Sequence, residues 1–513
     1  MSRKRRNRQN EKAISSPAAA PPAPQPPVPH AVPWLAAAFL IPNLGALACR
    51  FVFDDRVLIV ENESLHLHSW RQLLDIWKSG YWPDPRGQEL YRPISKTLWA
   101  ILWSTGGGEH PWLYHAVGLG LGLAVVLLLY RFLLEIHTPP RTAFIAAALF
   151  ALFPIHTEAT TSVVGTAETL AASFALGALI FYWRGCVAPA LALFALAVFS
   201  KESAASFAVL PLVFTGENAP PHHRRNLRWL ITAAGAALIV GIAWIAHTAV
   251  SRSSRIPAID NPAALISTAQ RILTALWVQC LYLFKTIVPI TLSADYSYKQ
   301  IPLVMSLDDW RAWPGLALAG GATILALASP KFRAPVLIYS ALFAVTANVL
   351  FPIGTIMGER LAYAPSIGVA LLLAVLLMET RYWKIVLIGI ALLFGARTAV
   401  RNLDWRDAVH FYTRLAETSP ESAKAQYSLG AMRASLGDDP GAIEAYNGAI
   451  AIFPAYAEAF RNRGNALARL GRNAEAMDDY RKCLRFDPTD YAAITNLAQL
   501  QSGHSVYPPR KPL

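Results

Sequence analysis

Long apolar runs recur through the first 400 residues of the chain, and they limit its fold more than any other feature. The first run, 33–53, contains a single charge, Arg50, near its end. A helix of that length rises about 30 Å, which is enough to cross the hydrocarbon core of a bilayer. Ten further apolar runs follow, at 116–130, 142–155, 169–183, 186–199, 204–214, 229–246, 312–328, 335–353, 363–378 and 385–396. The sequence therefore predicts an all-α, polytopic membrane domain of about eleven transmembrane helices.

The basic residues predict how these helices are oriented. The chain carries 46 Lys and Arg against 33 Asp and Glu, and many of the basic residues fall in short loops between the apolar runs. Because a Lys/Arg excess marks cytoplasmic loops, we expect the N-terminus inside and the C-terminus outside. This orientation requires the stretch 263–289, which four polar residues interrupt, to enter the outer leaflet without crossing. A nucleic-acid partner is not expected, since such proteins collect basic residues on one soluble face.

Composition divides the chain into four segments. Residues 1–32 are basic and then rich in Pro and Ala, which predicts a disordered cytoplasmic tail rather than a cleaved signal peptide. Residues 33–400 form the transmembrane domain. Residues 401–503 are polar and helical, and 504–513 form a second disordered tail. The four cysteines have neither metal-ligand spacing nor a disulfide framework, so we interpret them as packing residues.

A period of 34 residues appears in the C-terminal segment. Small and aromatic residues recur at this spacing, in the pairs Gly430 and Gly464, Gly437 and Gly471, Ala442 and Ala476, Tyr446 and Tyr480, and Pro454 and Pro488. This is the spacing of tetratricopeptide repeats, in which Gly and Ala permit close helix packing and Pro ends the second helix. We predict two full repeats, a preceding half repeat and a truncated cap at 491–501. Because such arrays form concave binding surfaces, the repeats are expected to bind an acceptor protein rather than to do chemistry.

Polar motifs collect at those ends of the apolar runs that are predicted to face outward. Asp54 and Asp55 directly follow the first run, and two carboxylates at that depth are costly near lipid. Further motifs stand at His156, Glu158, Glu168, Lys201, Glu202, Glu359 and Arg360. Each of them alone could be a helix cap or an anchor, but together they predict one polar site at the external face. The loop 54–111 adds Arg92 and Lys96, which could meet a phosphate or a lipid headgroup.

Seven sequence stretches make the chain resemble a known family. They are FVFDD at 51–55, YRPIS at 91–95, LFPIHTEA at 152–159, VVGTAETLAASF at 163–174, FSKESA at 199–204, LYLFKTIVPITLSADY at 281–296 and NVLFPIGTIMGERLAYAPSIG at 348–368. In this order they are typical of the membrane O-mannosyltransferases that join a transmembrane domain to tetratricopeptide repeats, within the C-type glycosyltransferase superfamily. The array here is shorter than in the animal members, and Thr166 stands where the family usually has Arg. The chain looks like a bacterial relative, which implies the inner membrane with the repeats in the periplasm.

The resemblance implies a reaction and assigns roles to the polar residues. The protein would move a sugar, mannose in this family, from a polyprenyl-phosphate donor to Ser or Thr hydroxyls of exported proteins. This transfer needs a general base for the hydroxyl and cations for the departing phosphate. Asp54 is the predicted base, and Asp55 is expected to orient the acceptor or to tune Asp54. We predict Arg92, Lys201 and Arg360 for the phosphate, and His156, Glu158, Glu168, Glu202 and Glu359 for holding the sugar or the cations.

Three alternatives stay open at this point. The acidic residues and the histidine could bind a divalent ion, although the resemblance implies that neither a metal nor another cofactor is needed. The chain could instead transfer a sugar to a lipid or a cell-wall glycan. It could also be a non-enzymatic scaffold or a transporter, although transporters place charges at mid-membrane, whereas these charges cluster at one face.

Overall fold

The computed structural model describes residues 28–83, 90–214 and 256–507, and all regular structure in these ranges is helical. The α-helices before the repeats are α1 (Ala31–Asn43), α2 (Leu73–Ile76), α3 (Pro93–Leu102), α4 (Pro111–Glu135), α5 (Pro140–Leu152), α6 (Thr157–Thr161), α7 (Thr166–Trp183), α8 (Val187–Ser200), α9 (Leu210–Val213), α10 (Thr268–Ile287), α11 (Ala312–Ala328), α12 (Pro330–Phe343), α13 (Ser366–Met378) and α14 (Trp383–Leu403). Short 3₁₀ or π turns lie at Leu44–Ala48, Arg56–Val60, Glu63–Leu65, Trp70–Gln72, Trp103–Gly107, Pro154–His156, Glu202–Val209, Pro262–Leu265 and Glu359–Ala362. The predicted all-α class is confirmed within these ranges. The apolar run 229–246 and most of both predicted tails lie outside them.

The prediction of about eleven complete spans is not confirmed. Among the described residues, four helices are long and apolar enough to cross a membrane: Ala31–Ala48, Pro111–Glu135, Thr166–Trp183 and Trp383–Leu403. A fifth span results if the pair Pro140–Leu152 and Pro154–Thr161, bent by 53°, counts as one. Other apolar helices, such as α11 and α13, have only 10–17 residues, and the predicted run 335–353 stops being helical at Phe343. Apolar composition therefore overestimated helix length, because apolar residues also fill the irregular segments between helices.

The stretch 263–289 forms a helix that is long but comparatively polar. α10 covers most of it, and this helix is not among those apolar enough to be counted as spans. Its capping box at Ser267 and Gln270 gives it a well-defined beginning. Its position in the outer leaflet therefore stays a prediction.

The centre of the transmembrane domain is formed by a helix that breaks. α5 packs against α13 and α1, and α7 packs along α4 and α8. Every residue from 145 to 172 is buried, across the end of α5, the bend at Pro154 and the beginning of α7. Pro154 interrupts the helix because its nitrogen has no hydrogen to donate. The break brings the polar motifs of this segment into the interior of the bundle.

The repeats are those that the 34-residue period predicts. They comprise α15 (Ala408–Thr418), α16 (Ala423–Ser435), α17 (Asp439–Ile452), α18 (Ala457–Arg469), α19 (Asn473–Phe486) and α20 (Tyr491–Gln501). The ring of Tyr446 lies against Gly430, where a Cβ atom would come within 2.7 Å of it. Gly464 and Tyr480 repeat this arrangement at 2.8 Å. The small residue and the tyrosine therefore pack as the period predicted.

The repeats follow the transmembrane domain without a flexible linker. Only residues 404–407 separate α14 from α15, and Trp405 within them is buried. The N–H of Arg50 donates to the carbonyl of Arg406 at 3.0 Å. The ring of Phe53 lies 5.4 Å from that of Phe411 in α15. These contacts place the first half repeat directly beside Asp54.

Candidate active site

Asp54 lies in a tight turn that follows the first span. Phe53 has a φ of 55°, in the left-handed region that a non-glycine residue rarely adopts. The N–H of Arg56 closes the turn on the carbonyl of Phe53 at 3.3 Å. This turn sends the two neighbouring carboxylates into different surroundings. The Asp54 side chain is 21% exposed, whereas Asp55 is fully enclosed, so Asp54 is the carboxylate that a ligand can reach.

Arg360 connects Asp54 with a second carboxylate from the interior of the bundle. Its guanidinium Nη1 lies 3.5 Å from Asp54 Oδ2 and 3.2 Å from Glu158 Oε1. Its backbone N–H also donates to Glu158 Oε2 at 2.9 Å. Glu158 is almost fully buried, while the Arg360 side chain keeps 34% exposure. Three segments that are distant in sequence therefore meet at one partly exposed arginine.

Two further ion pairs lie nearby. Arg92 forms a bidentate pair with Glu202, with Nε and Nη2 at 2.8 and 2.6 Å from the two carboxylate oxygens. Lys201 is paired with Glu168, and both side chains are more than nine-tenths buried. The charges of Arg92, Arg360 and Glu158 all act on Lys201. We therefore treat these groups as one charged cluster, which consists of Asp54, Arg92, Glu158, Glu168, Lys201, Glu202 and Arg360.

Tyr81 lies beneath this cluster, and no sequence pattern singled it out. The guanidinium of Arg92 lies 4.7 Å from the centre of its ring, and Tyr81 also interacts with the charges of Asp54 and Arg360. Burial raises the pKa of Tyr81 to about 12, so its hydroxyl stays protonated. Lys96 turns away from the cluster, because its Nζ donates to Ser79 Oγ at 2.7 Å. Lys96 thus holds the loop before Tyr81 instead of facing a phosphate.

Of the two roles predicted for Asp55, its burial does not allow it to orient an acceptor, whereas tuning of Asp54 stays a prediction because the two charges interact. Its carboxylate accepts hydrogen bonds from the hydroxyl of Ser162 at 3.1 Å and from the N–H groups of Val163 and Val164 at 3.2 and 2.9 Å. Burial raises the pKa of Asp55 to about 7, although the two N–H donors act in the opposite direction. A fully buried carboxylate cannot contact an acceptor. Asp55 instead ties the turn at Asp54 to the irregular segment before α7.

His156 also lies apart from the charged cluster. Its Nε2 lies 2.7 Å from Ser366 Oγ, and its ring packs among Phe150, Phe153 and Tyr363. These neighbours make it a packing histidine of the core, close in sequence to Glu158 but outside the charged cluster.

Glu359 points away from the cluster that its neighbour Arg360 joins. Its Oε1 accepts the N–H of Ser293 at 2.6 Å and the hydroxyl of Tyr296 at 2.5 Å. Arg401, at 3.5 Å from Oε2, is its ion-pair partner. Burial raises the pKa of Glu359 to about 7, while the charge of Arg401 acts to lower it. Of the ten predicted site residues, Asp55, His156 and Glu359 thus lie outside the charged cluster, and the other seven form it.

The arrangement places a reachable carboxylate beside several cations. Asp54 has one carboxylate oxygen 3.5 Å from Arg360 Nη1, and its side chain is partly exposed. Arginine has five N–H donors, so Arg92 and Arg360 keep donors beyond those that their carboxylates use. The described residues contain no group of three or more His, Cys, Asp or Glu that could hold a metal ion. The cluster is suited to a ligand that offers both a hydroxyl and an anionic group.

Comparisons with known proteins agree with the resemblance predicted from the sequence. Residues 251–323 match the family model "Protein O-mannosyl-transferase TMTC, DUF1736", and residues 395–457 and 457–490 match tetratricopeptide repeat models. The chain is 28% identical to mouse (Mus musculus) Protein O-mannosyl-transferase TMTC4 over 81% of its own length and 67% of the relative's. It is 26% identical to human (Homo sapiens) TMTC3 over 85% and 53% of the two lengths. It is 25% identical to Drosophila melanogaster Tmtc3, over 92% of its own length and 60% of the relative's.

These matches confirm the resemblance to the membrane O-mannosyltransferases with tetratricopeptide repeats. The chain spans about half to two thirds of the length of these relatives. All three of these relatives are animal proteins, so the bacterial origin stays a prediction.

Proposed function

We propose that this protein is a membrane-bound O-mannosyltransferase. It would take mannose from a polyprenyl-phosphate donor and transfer it to Ser or Thr hydroxyls of exported proteins at the external face of the membrane. The observation that carries this proposal is the meeting of Asp54, Glu158 and Arg360, from three distant segments, in one partly exposed cluster. The relatives' names, all protein O-mannosyl-transferases, support the same reaction.

Asp54 is the general base in this mechanism. As the acceptor oxygen bonds to C1 of the mannose, its proton passes to the Asp54 carboxylate, and the bond from C1 to the phosphate oxygen breaks. Inversion at C1 requires the base to act on the face of the sugar opposite the leaving group. A positioned base of this kind contributes about 10²–10⁴-fold to the rate.

The cations of the charged cluster would stabilise the departing polyprenyl phosphate. The phosphate gains negative charge as the C1–O bond breaks, so cations that are already in place stabilise the transition state more than the substrate. Arg360 and Arg92 have free donor capacity because each guanidinium carries five N–H groups. Glu158, Glu168 and Glu202 hold Arg360, Lys201 and Arg92 in position through their ion pairs.

The repeats would bring the acceptor protein to Asp54. Tyr412 of α15 and Lys424 of α16 both interact with the charge of Asp54, which indicates how near the array begins to the base. An acceptor segment bound along the array could therefore present a hydroxyl to Asp54 without a large movement of either domain. Remote binding of this kind favours transfer because it positions the reacting group.

The decisive experiment replaces the base. Purified Asp54→Asn protein in vesicles should transfer radiolabelled mannose from polyprenyl-phosphate mannose to exported proteins about 10²–10⁴-fold more slowly than the wild type. Donor binding should be retained. Asp75→Asn, the same substitution at an exposed aspartate of the same external loop, is the matched control and should transfer normally. Near-normal transfer by a folded Asp54→Asn protein would exclude Asp54 as the base, and transfer only to lipid would favour the glycan alternative.

The predicted orientation has its own test. A Ser505→Cys protein should react with a membrane-impermeant thiol reagent applied from outside the cell, whereas a Ser2→Cys protein should not. The reason is the Lys/Arg distribution, which assigns the N-terminus to the cytoplasm. Labelling of position 505 only after the cytoplasmic side is opened would mean that 263–289 crosses the membrane.

A further inference from the structure

The first repeat is held by a loop of the transmembrane domain that also contacts Glu359, the residue before Arg360. In this loop, residues 293–300, Ser293 Oγ and the carbonyl oxygen of Asp295 lie 2.8 and 2.6 Å from Ser419 Oγ. The N–H of Ala423 donates to the carbonyl of Tyr298 at 2.6 Å. Ser419 and Ser422 of the repeats are both fully buried against it. The loop is therefore a fixed docking surface for the array.

Glu359 holds the other side of the same loop. Its Oε1 accepts the Ser293 N–H and the Tyr296 hydroxyl, at 2.6 and 2.5 Å, and its side chain has no exposed surface. Its ion-pair partner Arg401 also pairs with Asp404 at 2.8 Å, in the connection that leads into the repeats. A buried carboxylate with these partners cannot move independently of the loop or of the end of α14.

Arg360 follows Glu359 directly, in a single 3₁₀ turn that begins at Glu359. Its backbone N–H and its guanidinium both contact Glu158, and the guanidinium also reaches Asp54. The two neighbouring side chains therefore face two different regions of the molecule. A shift of the docking loop would displace Glu359 and, with it, the backbone of Arg360.

We infer that Glu359 is a positioning residue through which the docked repeats hold Arg360 in the charged cluster. The repeats thus help to form the site, in addition to any acceptor that they bind. The consequence for transfer rests on the proposed function, whereas the mechanical link from Ser419 to Arg360 does not. On this inference, loss of repeat docking slows the chemical step even for an acceptor that binds normally.

Hydrogen–deuterium exchange of the full-length protein tests the mechanical link. Ser419→Ala should raise amide exchange about fivefold in peptides that cover 356–363, because one hydrogen-bonding group is lost from the docking surface. Glu359→Gln should raise it at least as much. Ser435→Ala is the control, since that hydroxyl donates to the Met432 carbonyl inside the repeats and has no hydrogen bond to the docking loop within the described ranges. Unchanged exchange in both test variants, or an equal rise in the control, would overturn the inference.

Transfer kinetics provide the second measurement. Ser419→Ala should lower kcat and leave the KM for the acceptor unchanged, and the double variant with Glu359→Gln should be no slower than Glu359→Gln alone. A rise in acceptor KM without a change in kcat would mean that the repeats act only by binding, which contradicts the inference but not the proposed function. If the wild type transfers no mannose, the proposed function fails, and the exchange measurement still decides the inference.

Discussion

The arginine–carboxylate pairs of the repeats differ in geometry from the contacts that Arg360 makes in the charged cluster, although Arg92 and Glu202 of that cluster form a bidentate pair. In the repeats, Arg463 binds both carboxylate oxygens of Asp479 through two nitrogens at 2.7 and 2.6 Å. Arg469 directs two nitrogens at one oxygen, Asp439 Oδ1, at 2.8 and 2.7 Å. In the charged cluster, Arg360 Nη1 is shared between Glu158 and Asp54 at 3.2 and 3.5 Å. A bidentate pair fixes the planar guanidinium against the carboxylate through two parallel hydrogen bonds, which stabilises a fold. The shared arginine leaves donors for a ligand, which is what a site for a phosphate needs.

Replacing arginine by lysine should lower transfer in the charged cluster and stability in the repeats. The larger effect is expected for Arg360 in the charged cluster. Arg360→Lys keeps the positive charge but loses the planar group that reaches two carboxylates and, in the proposed reaction, the phosphate as well. Mannosyl transfer should fall about 10²-fold or more, with little change in Tm. The transfer rate is measured with radiolabelled mannose, and the Tm is measured by thermal unfolding of the same sample. A folded Arg360→Lys protein with near-normal transfer would mean that Arg360 only holds Glu158 in place.

Arg463→Lys should show the reverse pattern. Lysine cannot reproduce the bidentate pair with the buried Asp479, so the repeats should lose about 1–2 kcal/mol of stability. Transfer per folded molecule should stay close to the wild-type value, because Arg463 lies outside the cluster. If Arg463→Lys lowered kcat as strongly as Arg360→Lys, the distinction between structural and functional pairs would be wrong.

The pH dependence of stability sharpens the comparison, because Asp55 and Glu359 are buried carboxyls with a pKa of about 7. A raised pKa means that the folded protein favours the protonated form of these carboxyls. Protonation therefore contributes fully to stability below a pH of about 4, the pKa of a carboxyl in the unfolded chain. This contribution is lost as the pH rises through about 7, by at most about 1.4 kcal/mol per pH unit for each group.

The wild-type Tm should therefore fall between pH 5 and pH 8, and Asp55→Asn should fall less steeply over the same range. Asp75→Asn, at an exposed position, should follow the wild type. Parallel pH profiles for Asp55→Asn and the wild type would contradict the conclusion that burial raises the pKa of Asp55.

The sequence alone determined those features that depend on local patterns. The 34-residue period predicted the repeats and their cap, because each repeat packs mainly against its neighbours and small and aromatic residues must recur at fixed positions. Apolar runs indicated a membrane domain, since only long apolar helices are stable in lipid. Charged motifs at the ends of those runs identified six of the residues that meet in the charged cluster, and the loop 54–111 provided the seventh, Arg92.

The tertiary structure decided which of these side chains face one another. Asp54 and Asp55 are adjacent residues of the same type, and the sequence does not distinguish them. The left-handed backbone at Phe53 turns only Asp55 inward, where the N–H groups of Val163 and Val164 donate to it. Likewise Glu359 and Arg360 are neighbours that face different regions, and Tyr81 belongs to no motif. The physical reason is that burial and hydrogen-bond partners come from segments tens to hundreds of residues away, and no local pattern encodes their orientation.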